Sequence, residues 1–233
     1  LILGGAQKNT VISCAAQVEA GHRVWLAYGP IYGPEGSLLE AGQASGAELV
    51  EVASMRRAIL PVHDVRCYFA LRRLIRRIKP DIVHTHSSKA GIIGRAAAWR
   101  EGVPAVIHTI HGLPFHEHQS AIVHRVYVAA ERFAARRCHK MIGITGAMCA
   151  AFAAERIGRA EQFTVIPSGV YVAAFDRPTA PRDVTRRAYA IPVDAPVIAI
   201  VARLDPLKGH DDLLDVLPRL LEKHPDVHLL FVG

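Results

Sequence analysis

The feature that most restricts how this chain folds is an alternation. Short apolar runs rich in Val and Ile are separated by amphipathic stretches of about 10–15 residues, from one end of the chain to the other. Residues 23–28, 48–52, 82–84, 105–109, 141–144 and 163–166 are the short runs and predict strands. Residues 9–20, 66–79, 89–101, 122–138 and 146–157 predict helices. The helix at 66–79 is the clearest, because Leu71, Leu74, Ile75 and Ile78 recur at helical spacing and Pro80 stops it. Gly102 marks a helix end. Residues 1–3 read as the tail of a further strand, and the Gly- and Pro-rich stretch 29–46 as a loop with a short helix. Strands alternating with helices form βαβ units, so the fold class is α/β: a Rossmann-like parallel sheet with helices on both faces.

The pattern pauses at 171–190, where Pro178, Pro181 and several charges predict a linker. It resumes with a strand at 197–201, a helix at 211–223 and a strand at 227–232. The expected organisation is a Rossmann-like domain over 1–170, a linker over 171–190, and the incomplete beginning of a second Rossmann-like domain over 191–233. Charge divides at nearly the same place. Residues 1–190 hold 24 Lys+Arg against 14 Asp+Glu, whereas 191–233 hold 4 against 7. The basic part is either a solvated surface or one that attracts an anionic partner: a membrane surface, a phosphorylated substrate or nucleic acid. Nucleic acid is the poorest of these, because aromatics make up only 6% of the chain and no aromatic-basic recognition motif appears.

Cys14, Cys67, Cys138 and Cys149 show no CxxC pairing, which predicts buried free thiols and a reducing, cytoplasmic compartment. No apolar run approaches the length of a membrane span, and no signal peptide is visible. The chain begins without Met inside one apolar run and ends directly after another, so both ends are expected to be truncated.

In an open parallel sheet, ligands bind beyond the carboxyl ends of the strands. Gly4-Gly5 follows such an end and precedes a helix; it suits either a tight turn or a close backbone approach to an anion. Arg203 and Lys208 lie five apart just past a buried run, on a loop with Pro206 and Gly209. Two cations beside a helix start suit a diphosphate, Arg as a planar fork and Lys as a point charge. Ser87 and Ser88 suit a helix cap, and Lys89, set against the helix dipole, is easier to understand if it faces an anion. His84, His86, His108, His111, His116 and His118 invite a metal reading. Within a strand, however, His84 and His86 share a face without needing a metal. Only Glu117 and Asp205 offer nearby carboxylates, neither well placed.

At this point the residues resemble a known family. The run KPDIVHTHSSKAGIIGRAAAWREGVPAVIHTIHG at 79–112 resembles the N-terminal domain of retaining family 4 glycosyltransferases of the GT-B type. GGAQ at 4–7 is similar to their first glycine loop, VIPSGV at 165–170 to their interdomain segment, and residues 201–233 to the opening of their donor domain. The order of the four pieces matches as well.

The resemblance implies roles. Gly4 and Gly5 would lie against the donor diphosphate, and Arg203 and Lys208 would clamp it. His111 would be the catalytic-site residue at the donor hexose, while His86, Ser87, Lys89 and Ser168 would be acceptor or cleft contacts. The resemblance implies no cofactor and no metal, with a UDP- or GDP-linked sugar as substrate and a lipid-linked or saccharide acceptor as partner. It also implies bacterial surface-polysaccharide or glycolipid synthesis, at the inner face of the cytoplasmic membrane. Two departures stand out: Ser168 where the family has Asn, and Ala202 where it has Gly. The family's Glu-x7-Glu donor motif would lie beyond residue 233, so the chain alone is expected to be inactive.

Three other readings compete. A nucleotide-sugar 2-epimerase of the same fold would want cleft carboxylates. A metal-dependent hydrolase would use the histidines, and a non-catalytic binding module would need neither.

Overall fold

The computed structural model describes residues 1–32, 36–116, 119–172, 175–205 and 208–233. The chain divides into two compact units, Leu1–Val170 and Tyr171–Gly233.

In the first unit, α1 (Gly5–Glu19) is followed by β1 (Trp25–Tyr28), α2 (Leu39–Ala44) and β2 (Glu48–Glu51). Then come α3 (Pro61–Ile78), β3 (Ile82–His86), α4 (Ser88–Arg100), β4 (Ala105–Ile110) and α5 (Ala121–Ala135). β5 (Lys140–Gly143), α6 (Gly146–Ala154), a short 3-10 turn and β6 (Phe163–Val165) complete it. β1 pairs with β2, and β3-β4-β5-β6 form a four-stranded sheet in that order. Every one of these pairings is parallel, as helical crossovers require.

Residues 1–3, expected as the tail of a strand, instead make a lone antiparallel bridge between Ile2 and Ser37. The amide of Leu3 donates to the Gly36 carbonyl and that of Leu38 to the Leu1 carbonyl. Residues 36–38 take these backbone groups, so no parallel ladder forms there among the described residues. Nor is every strand covered on both faces: β4 is the buried one, while Thr164 and Val165 of β6 are exposed.

Three apolar clusters hold the first unit. α3 and α4 pack Cys67, Leu71, Ile75, Ala97 and Ala98 against Val106 of β4. A second cluster gathers Ile110, Val128, Met141 and Phe152, and a third gathers Leu1, Val11, Cys14 and Leu26. Small residues let α4 lie close to the sheet. A methyl on Gly91 would come within 2.6 Å of the His108 ring, and one on Gly94 within 2.9 Å of the Thr85 side chain. All four cysteines are free; burial pushes the thiols of Cys67 and Cys138 up to about 11.

α3 begins five residues earlier than its apolar spacing indicates, with Pro61 at its first turn. Its inner stripe is the expected one, Leu71 and Ile75 being buried. Its basic face is not wholly free. Arg72 and Arg76 both bind Glu101 at the end of α4 and staple the two helices together. Solvent meets Val62, Val65, Arg66, Phe69, Arg73 and Arg77, and Arg76 stays exposed beside its partner. Side by side with them, α3 and β2 border a groove of about 760 Å³.

The second unit holds α7 (Arg182–Ala188), β7 (Val197–Val201), α8 (His210–Lys223) and β8 (His228–Val232), with β7 and β8 parallel. The expected linker 171–190 thus carries a helix and belongs to this unit. Arg186 ties that helix down by donating to the carbonyls of Pro192 and Ala195. No helix among the described residues is long and apolar enough to cross a membrane.

Candidate functional site

β3 and β4 run side by side with Thr85 opposite His108 and His86 opposite Thr109. Their carboxyl ends therefore lie together, as do the side chains that alternate along them. On one face, His84 and His86 stack with ring centroids 4.3 Å apart. Nε2 of His84 meets the Thr109 hydroxyl at 2.7 Å. Nδ1 of His86 meets Nε2 of His111, the first residue beyond β4, at 2.9 Å. On the other face, the Thr85 hydroxyl bonds Nδ1 of buried His108 at 3.0 Å. Burial holds all four rings neutral: His84 falls to about 4, His86 to about 2, and His108 and His111 are also lowered. The histidines satisfy one another and nearby hydroxyls, and no group of three or more metal-ligating side chains is assembled among the described residues.

His111 faces a pocket of about 300 Å³ shared with Gly5, Lys8, Asn9, Ile144 and Ser168. Four parts of the sequence meet here because each follows a strand end or opens a helix. Gly4 is the extended residue heading α1, which has neither a side-chain cap nor an acidic residue in its first turn. That leaves the first-turn amides for a ligand or water. The Asn9 side chain accepts the Gly169 amide at 3.1 Å, fixing the segment that carries Ser168. Lys8, one turn into α1, adds a cation that the sequence reading missed. Its signal was its position one helical turn beyond the Gly pair.

Two expected contacts are placed differently. Lys89 binds the Asp64 carboxylate and the Ala58 carbonyl at the start of α3, so its charge is matched by protein rather than turned to the pocket lining. Ser87 stands at the head of α4, but its side chain makes no capping bond. Its backbone instead adopts φ 63° and ψ 155°, a strained conformation for a residue with a Cβ. His86 reaches the pocket only through His111.

In the second unit, Arg203 and Lys208 are both exposed beyond β7. The Lys208 amide donates to the Asp205 carbonyl at 2.9 Å, and Gly209, at φ 73°, turns the chain into α8. Glu117, His118 and Pro206 lie outside the described residues.

Residues 4–169 match the glycosyl transferase 4-like domain, and residues 181–233 match the glycosyl transferases group 1 domain. The chain belongs to this glycosyltransferase family. It is 32% identical over 184 residues to the Escherichia coli UDP-Gal:alpha-D-GlcNAc-diphosphoundecaprenol alpha-1,3-galactosyltransferase, a match covering 78% of this chain and 48% of that enzyme. It is 28% identical over 191 residues to the D-inositol 3-phosphate glycosyltransferase of Acidothermus cellulolyticus, covering 74% of this chain and 40% of the relative. The chain thus spans about half the length of these curated relatives. Among solved structures it superposes on Anabaena HepE in complex with UDP and glucose with a TM-score of 0.71 at 20% identity. That superposition covers 99% of this chain and 58% of the other. It establishes the GT-B fold, and the family's two domains coincide with the two compact units seen here.

Proposed function

We propose that the full-length protein transfers a hexose from a UDP- or GDP-linked donor to a lipid-linked or saccharide acceptor, with retention and without a metal, in surface-polysaccharide or glycolipid synthesis. The observation that carries this reading is the pocket in which His111, Lys8 and Ser168 converge on an uncapped helix start at the strand ends. A sugar needs neutral hydrogen-bonding groups, and the half-buried His111, whose pKa burial lowers, offers one. A leaving diphosphate needs positive charge placed where its own charge develops. In the first unit the first-turn amides beyond Gly4 and Gly5 offer such charge, and in the second unit the exposed Arg203 and Lys208 offer it.

The chemistry balances without an enzyme nucleophile. The bond from the anomeric carbon to the diphosphate breaks with its electron pair going to the phosphate oxygen. The acceptor hydroxyl oxygen bonds the same face of that carbon, and its proton passes to the departing phosphate. No carboxylate lines the described pocket, which fits this route better than the proton removal from carbon that an epimerase performs. The Escherichia coli relative, whose name specifies a diphosphoundecaprenol-linked substrate, supports a lipid-linked acceptor. The protein would then work at the inner, anionic face of the cytoplasmic membrane.

The test is transfer from labelled nucleotide sugars by the full-length protein, with excess chelator present. Activity should survive chelation, and Arg203→Ala or Lys208→Ala should each cost about 2–4 kcal/mol, mainly in kcat. Activity lost with chelator and restored only by a divalent ion would overturn the metal-free route. Unchanged kcat/KM in both variants would make the two cations ordinary surface charges. The 233-residue chain, assayed beside it, should show no comparable turnover.

A further inference from the structure

We propose that His86 is a positioning residue: its single hydrogen bond to His111 fixes the tautomer and ring orientation of His111, so that Nδ1 of His111 is the nitrogen presented to the sugar. The proposal rests on the reading of His111 as the sugar-facing group. Its basis is the 2.9 Å approach of Nδ1 of His86 to Nε2 of His111. Two imidazole nitrogens that close share one proton, so one ring donates and the other accepts. Nε2 of His111 is thereby consumed, and Nδ1 is the only ring nitrogen left for a ligand.

His86 is itself held. Its ring stacks on His84 at 4.3 Å, and His84 is anchored to the Thr109 hydroxyl at 2.7 Å. The His86 and His111 rings lie nearly parallel, 30° apart with centroids separated by 5.2 Å. The chain of contacts Thr109–His84–His86–His111 starts and ends on β4 and the residue that follows it, and passes through β3 in between. Because His84 and His86 are two apart on one strand, the pleat places both rings on the same side. The strained Ser87 immediately after His86 turns the chain into α4 at that point. A free ring at 111 would exchange tautomers and rotate; a ring bound at Nε2 would not. This is the service that outer-shell partners render to metal-bound histidines, and losing such a partner costs about 10–100-fold in activity.

Ring-nitrogen NMR of the full-length protein, with transfer kinetics, tests this. In the unsubstituted protein His111 should occupy one neutral tautomer. His86→Leu should mix the tautomers and lower kcat/KM about 10–100-fold. His86→Asn, whose amide group replaces Nδ1, should keep one tautomer and stay close to the unsubstituted rate. In a His111→Ala background, His86→Leu should add no further loss. A single, unchanged His111 tautomer in His86→Leu overturns the proposal, and so do losses that multiply in the double variant. If the full-length protein transfers no sugar at all, the functional reading fails, while the NMR comparison still decides whether His86 sets the tautomer of His111.

Discussion

His84, His86 and His108 show what a single buried ring does to the molecule's response to acid. An unfolded histidine titrates near 6.5, whereas burial holds His84 at about 4 and His86 at about 2 in the fold, with His108 also well lowered. Between those values the unfolded chain binds more protons than the folded one. Stability is therefore fully present above pH ~6.5 and falls as pH drops through the window below it. The urea midpoint should be lower at pH ~5.5 than at pH ~7.5, and His84→Asn should reduce that difference in part, His86 and His108 keeping the rest. A midpoint independent of pH over this range would mean the rings are hydrated and titrate normally. The alternation of His84, Thr85 and His86 was legible from the strand pattern, including the sharing of one face by the two histidines. Their partners were not. Thr109 and His111 lie 25 residues further along, and only the parallel register of β3 on β4 brings them into reach. The backbone strain at Ser87 was hidden for a similar reason, since serine is an ordinary helix cap and nothing in its neighbours announces a positive φ.

At the scale of elements, the helices were legible where an apolar stripe repeats and illegible where charge does structural work. Leu71 and Ile75 of α3 were readable as core, but the pairing of Arg72 and Arg76 was not, because their partner, Glu101, lies at the far end of α4; Arg72 is half-buried by it while Arg76 stays exposed. The same blindness covers Arg95 and Glu131. Their ion pair, 2.7 Å long and shielded from water, joins α4 to α5. Arg95 also donates to the Gly91 carbonyl, while its Nη1 has no hydrogen-bond partner in the described structure. Breaking such a pair leaves one charge buried alone, so Arg95→Met should destabilise the protein by about 3–5 kcal/mol. Replacing both members, as in Arg95→Met with Glu131→Gln, should recover part of that, because no bare charge then remains inside. Denaturant unfolding of the single and double variants gives the comparison. A double variant less stable than the single would show that Glu131 left without Arg95 does not cost what a bare buried charge should. The glycines at 91 and 94 belong to this scale as well: they bring α4 into contact with His108 and Thr85 of the sheet.

At the scale of the whole molecule, charge and apolar surface are distributed unequally. The first unit carries 20 Lys+Arg against 12 Asp+Glu, the second 8 against 9. On the first unit, α3 turns Val62, Val65 and Phe69 outward from its opening turns, and Arg66, Arg73 and Arg77 from the same surface. The sequence showed the arginines but hid the apolar half. Val62 and Val65 precede the stretch whose spacing signalled a helix, and their exposure follows only from the earlier start at Pro61. An acceptor held in a lipid bilayer would bring this face against anionic headgroups, where each nearby cation contributes about 1 kcal/mol. Arg72 and Arg76, already bound to Glu101, should contribute less than Arg66, Arg73 and Arg77. The exposed Phe69 and valines add contact with the upper acyl region, so attachment should lose strength with salt without vanishing. Sedimentation of the full-length protein with vesicles separates these contributions. Binding should require anionic lipid. It should fall markedly when Arg66, Arg73 and Arg77 become Gln, and much less when Arg72 and Arg76 do. Phe69→Ser should remove the portion that survives high salt. Equal binding to neutral vesicles, or none at low salt, would detach the protein from the membrane and make a soluble saccharide the better acceptor.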